Sequence, residues 1–168
     1  MTAQPSREQW AEVADRLDQI WCPVYLRCDE FLVRACRQQV KYNRLGIVVS
    51  VNGVLFDPAW IPLRDRPMSE EARRFWMPHK KAVMPRRMLK RLEEILGKRE
   101  CRRRGYYDHR IVPDPVWNRP GPFIRHLKKH NASIRLIDEL TYETALAAMR
   151  ARAGRSQQAA LPLEGGDR

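Results

Sequence analysis

Residues 24–56 read VYLRCDEFLVRACRQQVKYNRLGIVVSVNGVLF, and the fold turns on how this stretch is read. It is rich in β-branched and aromatic residues, which suit a pleated, half-buried surface. Its Asn52-Gly53 dipeptide suits a tight hairpin turn, where both central residues take a positive φ. Three or four antiparallel strands are therefore expected between residues 24 and 56. In the third of them Ile47, Val49 and Val51 alternate with Val48 and Ser50. One face of that strand should turn inward, against the N-terminal helix.

That helix is signalled upstream. Ser6 followed by Gln9 is a capping-box start, and Trp10, Val13, Ala14, Leu17, Ile20 and Trp21 recur at helical spacing until Pro23 stops the run. Downstream, the proline spacing from Asp57 to Met68 predicts an extended loop. Ser69 with Glu70 and Glu71 then opens a short helix carrying Arg73, Arg74, Phe75 and Trp76. Pro85 fits the first turn of a central helix whose apolar stripe, Met84, Met88, Leu92, Ile95 and Leu96, should dock on the sheet. The run Arg102-Arg103-Arg104-Gly105 reads as its last possible turn. The segment IVPDPVWNRPGP reads as a second loop, FIRHLKKHN as a short helix and SIRLI as an edge strand. Thr141 to Arg152 reads as a last helix ended by Gly154. The expected architecture is one α+β domain over residues 1–153. In it a small antiparallel sheet is packed by the N-terminal and central amphipathic helices, and residues 154–168 follow as a flexible tail.

A chain of 168 residues with 43% hydrophobic and 31% charged residues is long and apolar enough to build one core. Its 32 Lys and Arg against 20 Asp and Glu give a net charge of +12, which favours polyanionic partners: DNA, RNA or an acidic protein surface. The basicity is regional, since residues 64–105 hold 15 Lys and Arg against 6 Asp and Glu. On the central helix Arg86, Arg87, Lys90, Arg91 and Lys98 lie opposite the apolar stripe, and Arg102, Arg103 and Arg104 follow. With Phe75, Trp76, Tyr106 and Tyr107 interleaved, the segment suits a surface that tracks phosphates and offers rings for stacking.

Other chemistries find little support. The cysteines at 22, 28, 36 and 101 form no C-x-x-C pair, which points to reduced thiols rather than a zinc finger or a disulfide framework. Acidic residues stand where a signal peptide needs an apolar run, and nothing approaches about 18 consecutive apolar residues, so a soluble cytoplasmic protein with no membrane partner is expected. His126 and His130 lie one helical turn apart but lack convincing ligand partners. Asp29, Glu30, Asp57 and Asp65 lie on or beside strands where two could converge on a metal, as a nuclease requires, without the carboxylate-x-Lys spacing that would sharpen that reading. No phosphate-cradling glycine loop, nucleophile elbow or metalloprotease signature is present. The reading leans away from an enzyme and calls for no cofactor and no metal.

The C-terminal segment Gln158-Ala159-Ala160-Leu161-Pro162-Leu163 resembles the short peptide by which bacterial DNA-maintenance proteins bind the sliding clamp, the processivity ring of the replicative polymerase. The resemblance implies that Gln158 hydrogen-bonds in a small polar pocket and that Leu161 and Leu163 fill an apolar one. Pro162 would limit the entropy lost on docking. Ala159 stands where family members often carry Leu, which removes an apolar contact. The body, through KYNRLGIVVSVNG and PRRMLKRLEEILGKRE, resembles small bacteriophage and prophage proteins, a likeness that implies no mechanism. The expectation is a non-catalytic accessory protein of phage origin. Its basic face would hold DNA or RNA while its tail docks on the bacterial sliding clamp. The rivals are a small metal-dependent nuclease and a phage inhibitor whose basic face grips an acidic host protein.

Overall fold

A computed structural model describes residues 4–61 and 67–159. The stretch from Val24 folds into three antiparallel strands: β1 (Val24–Cys28), β2 (Phe31–Lys41) and β3 (Arg44–Val51). Their turns are two residues each. Asp29-Glu30 joins the pair Cys28 and Phe31, and Tyr42-Asn43 joins Lys41 and Arg44. The expected turn at Asn52-Gly53 also forms, with φ of 52° and 76°. It closes only a single bridge, Val51 to Val54. Asn52 instead serves the sheet: its Oδ1 accepts from the Leu32 amide at 2.9 Å, and its own amide donates to the Leu32 carbonyl at 2.7 Å.

The sheet is completed by β6 (Val116–Trp117) beside β3 and β7 (Ile134–Ile137) beside β1, giving the antiparallel order β6-β3-β2-β1-β7. At the β3–β6 crossing a Cβ on Gly46 would collide with the Val116 side chain and crowd that of Val40, so a larger residue there would force a shift.

Alternation sets the core. Leu26, Cys28, Val33, Ala35, Ile47, Val49 and Val51 share one face and are buried. Three helices cover it: α1 (Arg7–Asp18), α2 (Glu70–Phe75) and α4 (Pro120–His130). In α1 the capping box forms as expected, and Trp10, Val13 and Leu17 point inward. Its far end is held by Arg37 on β2. That guanidinium donates to the Leu17 carbonyl at 2.8 Å and pairs with Asp18 at 2.8 Å, a cation at a helix C-terminus. From α4 come Phe123, Ile124 and Leu127, each side chain of this size stabilising by about 1.5 to 3 kcal/mol when taken from water.

The opposite face is covered in part by the last helix, α5 (Glu139–Ala159), through Tyr142 and Leu146 against Tyr25 and Leu32. The helix starts where the Asp138 carboxylate accepts from the Thr141 amide at 2.7 Å. It runs through Gly154, where the sequence predicted an end. Alanine, arginine and glutamine on both sides favour helix, and one glycine in a helix costs only about 1 kcal/mol.

Two expectations of docking and connection are corrected. The central helix, α3 (Arg86–Arg103), buries only Cys101; Met88 is 53% and Ile95 77% exposed, so its apolar stripe does not cover the sheet. The segment MPHKKA, to which the sequence assigned no element, and HRIVPD, whose IVPD reads as loop, pair as β4 (Met77–Ala82) and β5 (His109–Asp114) in a separate two-stranded ribbon. Pro78 and Pro113 face each other there. Both strands are edges, so a proline removes no essential ladder bond.

Candidate nucleic-acid interface

The ribbon and α3 belong to one continuous excursion of the chain, because the helix sits between the two strands in sequence. The chain leaves the body after Phe75, forms β4, α3 and β5, and returns at Trp117. The indole Nε1 of Trp117 donates to the Phe75 carbonyl at 2.9 Å in a buried bond, and so fastens the outgoing end of this arm to the returning one. Trp117 also packs on Phe123 at 5.6 Å between ring centroids.

Residues 77–114 carry 12 Lys and Arg against 5 Asp and Glu. The helix that bears most of them is bent. Gly97 takes φ 77° and ψ 155°, a conformation open to glycine alone, and divides α3 into a first part, 86–96, and a second part, 98–103. Arg86, Arg87, Lys90 and Arg91 are exposed on the first part and Lys98 on the second, and none forms an ion pair among the described residues. Cations with no internal partner keep their full charge for an outside one.

The arginine run behaves differently. Arg103 grips Glu100 through two nitrogens, at 2.8 and 2.6 Å, and Arg104 reaches the same carboxylate at 2.7 Å. Those bonds, from Arg103 first and Arg104 second, hold the Glu100 carboxyl below its ordinary pKa. Arg102 lies over the Tyr107 ring at 5.9 Å. The run therefore contributes less free charge than its sequence suggests. Tyr106 and Tyr107 are half-buried, and the Tyr107 hydroxyl donates to Glu93. The aromatics read as interleaved upstream belong to the core instead: Phe75 packs edge-on against Phe31, and Trp76 lies between Phe56 and Trp60.

Two hollows shape this surface. One, of about 700 Å³, lies on the first part of α3 and is lined by Arg86, Arg87, Leu89, Lys90, Glu93 and Tyr107. The other, of about 440 Å³, lies between the Tyr42-Asn43 turn and the ribbon, where Lys41 and Arg44 meet His79 and Lys81. Sequence reasoning missed the second site. Its signal, basic residues flanking KYNR and again in HKK, spans two segments that only the tertiary fold brings together.

The rival sites disperse. Asp29 serves the fold: it accepts from the Ser133 amide at 2.7 Å and pairs with Arg74 at 2.7 Å. Burial would raise its pKa, but those bonds together with the Ala132 amide lower it. Glu30 sits exposed in the β1–β2 turn, Asp57 caps the Ala59 amide at 2.7 Å, and Asp65 lies outside the described residues. His126 packs at a tilt against His130, at 4.3 Å between ring centroids, and against Trp117 at 5.0 Å, with Nε2 at 3.1 Å from the Arg73 carbonyl. Burial first, and the neighbouring His130 second, push its pKa down to about 4. Among the described residues no group of three or more His, Cys, Asp or Glu is placed to hold a metal ion. None of the four cysteines is joined in a disulfide.

No family model matches the chain, and no curated protein or solved structure matches it either. Among the described residues no helix is long and apolar enough to cross a membrane. Of the tail peptide, Gln158 falls in the last turn of α5, whereas Leu161, Pro162 and Leu163 lie outside the described residues.

Proposed function

We propose that this protein is a non-catalytic accessory protein that binds nucleic acid through its basic arm and docks on the bacterial sliding clamp through residues 158–163. The observation that carries the first half is the set of exposed, unpaired cations on α3, Arg86, Arg87, Lys90, Arg91 and Lys98, on an arm that buries little of its own helix. Lys41, Arg44 and Lys81 extend the same charge toward the body. Phosphate backbones meet such a surface by releasing condensed counterions, without base-specific contacts. The second half rests on the peptide pattern alone. Two weak attachments on one chain reinforce each other, because binding at one site raises the effective concentration at the other.

The test is filter binding of mixed-sequence DNA and RNA by the full chain and by the Arg86→Glu, Arg87→Glu, Lys90→Glu, Arg91→Glu variant. Binding by the parent chain and its loss in the variant are expected. Equal binding by both would refute the role given to the arm.

A further inference from the structure

Resting on that reading, we propose that the hollow on the first part of α3 takes an unstacked nucleobase, so that the arm prefers single-stranded nucleic acid to duplex. The hollow combines two chemistries. Leu89 and the Tyr107 ring supply an apolar and aromatic lining, and Arg86, Arg87 and Lys90 supply cations beside it. A nucleotide has the same division, a flat base joined to a charged phosphate. At about 700 Å³ the space is within the range of sites that hold small molecules.

Glu93 decides which half of the nucleotide goes where. Its carboxylate also lines the hollow and accepts the Tyr107 hydroxyl, so a phosphate there would meet a negative charge. A base would not. The same bond, with Arg102 over the ring at 5.9 Å, fixes the tyrosine in place before any ligand arrives, which lowers the ordering cost of stacking. Duplex DNA keeps its bases within the stack and can use only the cations. A single strand can use the cations and the ring together.

The experiment is fluorescence anisotropy of the full chain with an oligothymidine of about 20 nucleotides and with the matching duplex, at one fixed salt concentration. The expected result is a single-strand preference of about tenfold, which Tyr107→Ala abolishes by weakening the single strand alone. Tyr107→Phe, which keeps the ring and loses the bond that orders it, should retain most of the preference. A second measurement needs no variant. A strand substituted with bromodeoxyuridine is photo-crosslinked to the unaltered chain, and the crosslinked peptide is sequenced. A crosslink at Tyr107 or Leu89 supports the proposal even if Tyr107→Ala fails to fold, and crosslinks found only elsewhere overturn it. Equal affinity for both forms, indifferent to Tyr107→Ala, would overturn this inference and leave the nucleic-acid reading standing. Binding to neither form would overturn both.

Discussion

Replacing Trp117 by phenylalanine tests how the arm is joined to the body. Trp117 is 3% exposed, and its indole makes the 2.9 Å bond to the Phe75 carbonyl that ties the two ends of the arm together. A phenyl ring cannot donate that bond. The carbonyl is then left buried without it, a loss of about 1 to 3 kcal/mol. Removing the second ring of the indole also opens space beside Phe123 and His126, adding about 1 kcal/mol for lost contacts. The variant should therefore be less stable by about 2 to 4 kcal/mol, a large share of the roughly 5 to 15 kcal/mol that holds an ordinary domain together. Urea unfolding followed by far-ultraviolet circular dichroism measures this as a lower midpoint with an unchanged slope. A loss below about 0.5 kcal/mol would mean that the Trp117 bond does not fasten the arm.

Three further outcomes follow from the same geometry. Arg86→Ala with Arg87→Ala should weaken DNA binding by about tenfold, and Arg103→Ala with Arg104→Ala by about threefold at most, because Glu100 already engages the second pair; gel-shift titration compares them. For pH, the folded chain leaves His126 neutral down to about 4, while the unfolded chain protonates it near 6.5, so the unfolded state holds more protons between these values. Stability should then fall as pH drops through that window, by about 1 to 2 kcal/mol once screening of a half-exposed ring is allowed for. Urea midpoints at the two ends should show the drop, and His126→Asn should reduce it. In pull-downs with purified sliding clamp, Leu161→Ala or Leu163→Ala should cut retention by about tenfold or more, Ala159→Leu should raise it, and the melting curve should stay unchanged.

Much of the body was legible because its signals are local. Ser6 and Gln9 cap α1 by bonds made within one turn, and the alternation of Ile47, Val49 and Val51 survives intact as a buried face. The strand pairs at Asp29-Glu30 and Tyr42-Asn43 were harder to place, since neither turn carries the glycine that marked Asn52-Gly53. The central helix was misread for a physical reason: an apolar stripe such as Met88, Leu92 and Ile95 looks the same whether it meets a sheet or stands free. The ribbon was hidden by its prolines, which argue against a central strand but are tolerated in a pair of edges. The charge of the arm was plain in the sequence. That Arg103 and Arg104 pair at the surface with Glu100, and that Lys41 and Arg44 join Lys81, could be read only from the fold.

The most direct test of the central claim is the dependence of nucleic-acid affinity on salt. Arg86, Arg87, Lys90, Arg91 and Lys98 are five of the seven α3 cations in no ion pair among the described residues, Arg99 and Arg102 being the others, and these five are the ones expected to neutralise phosphates. With four or five engaged, the logarithm of the association constant for duplex DNA should fall against the logarithm of salt concentration with a slope of about −4. The charge-reversed variant at Arg86, Arg87, Lys90 and Arg91 should lose most of that slope. An affinity for DNA and RNA that stays flat with salt, or no measurable binding even at low salt, would contradict the account.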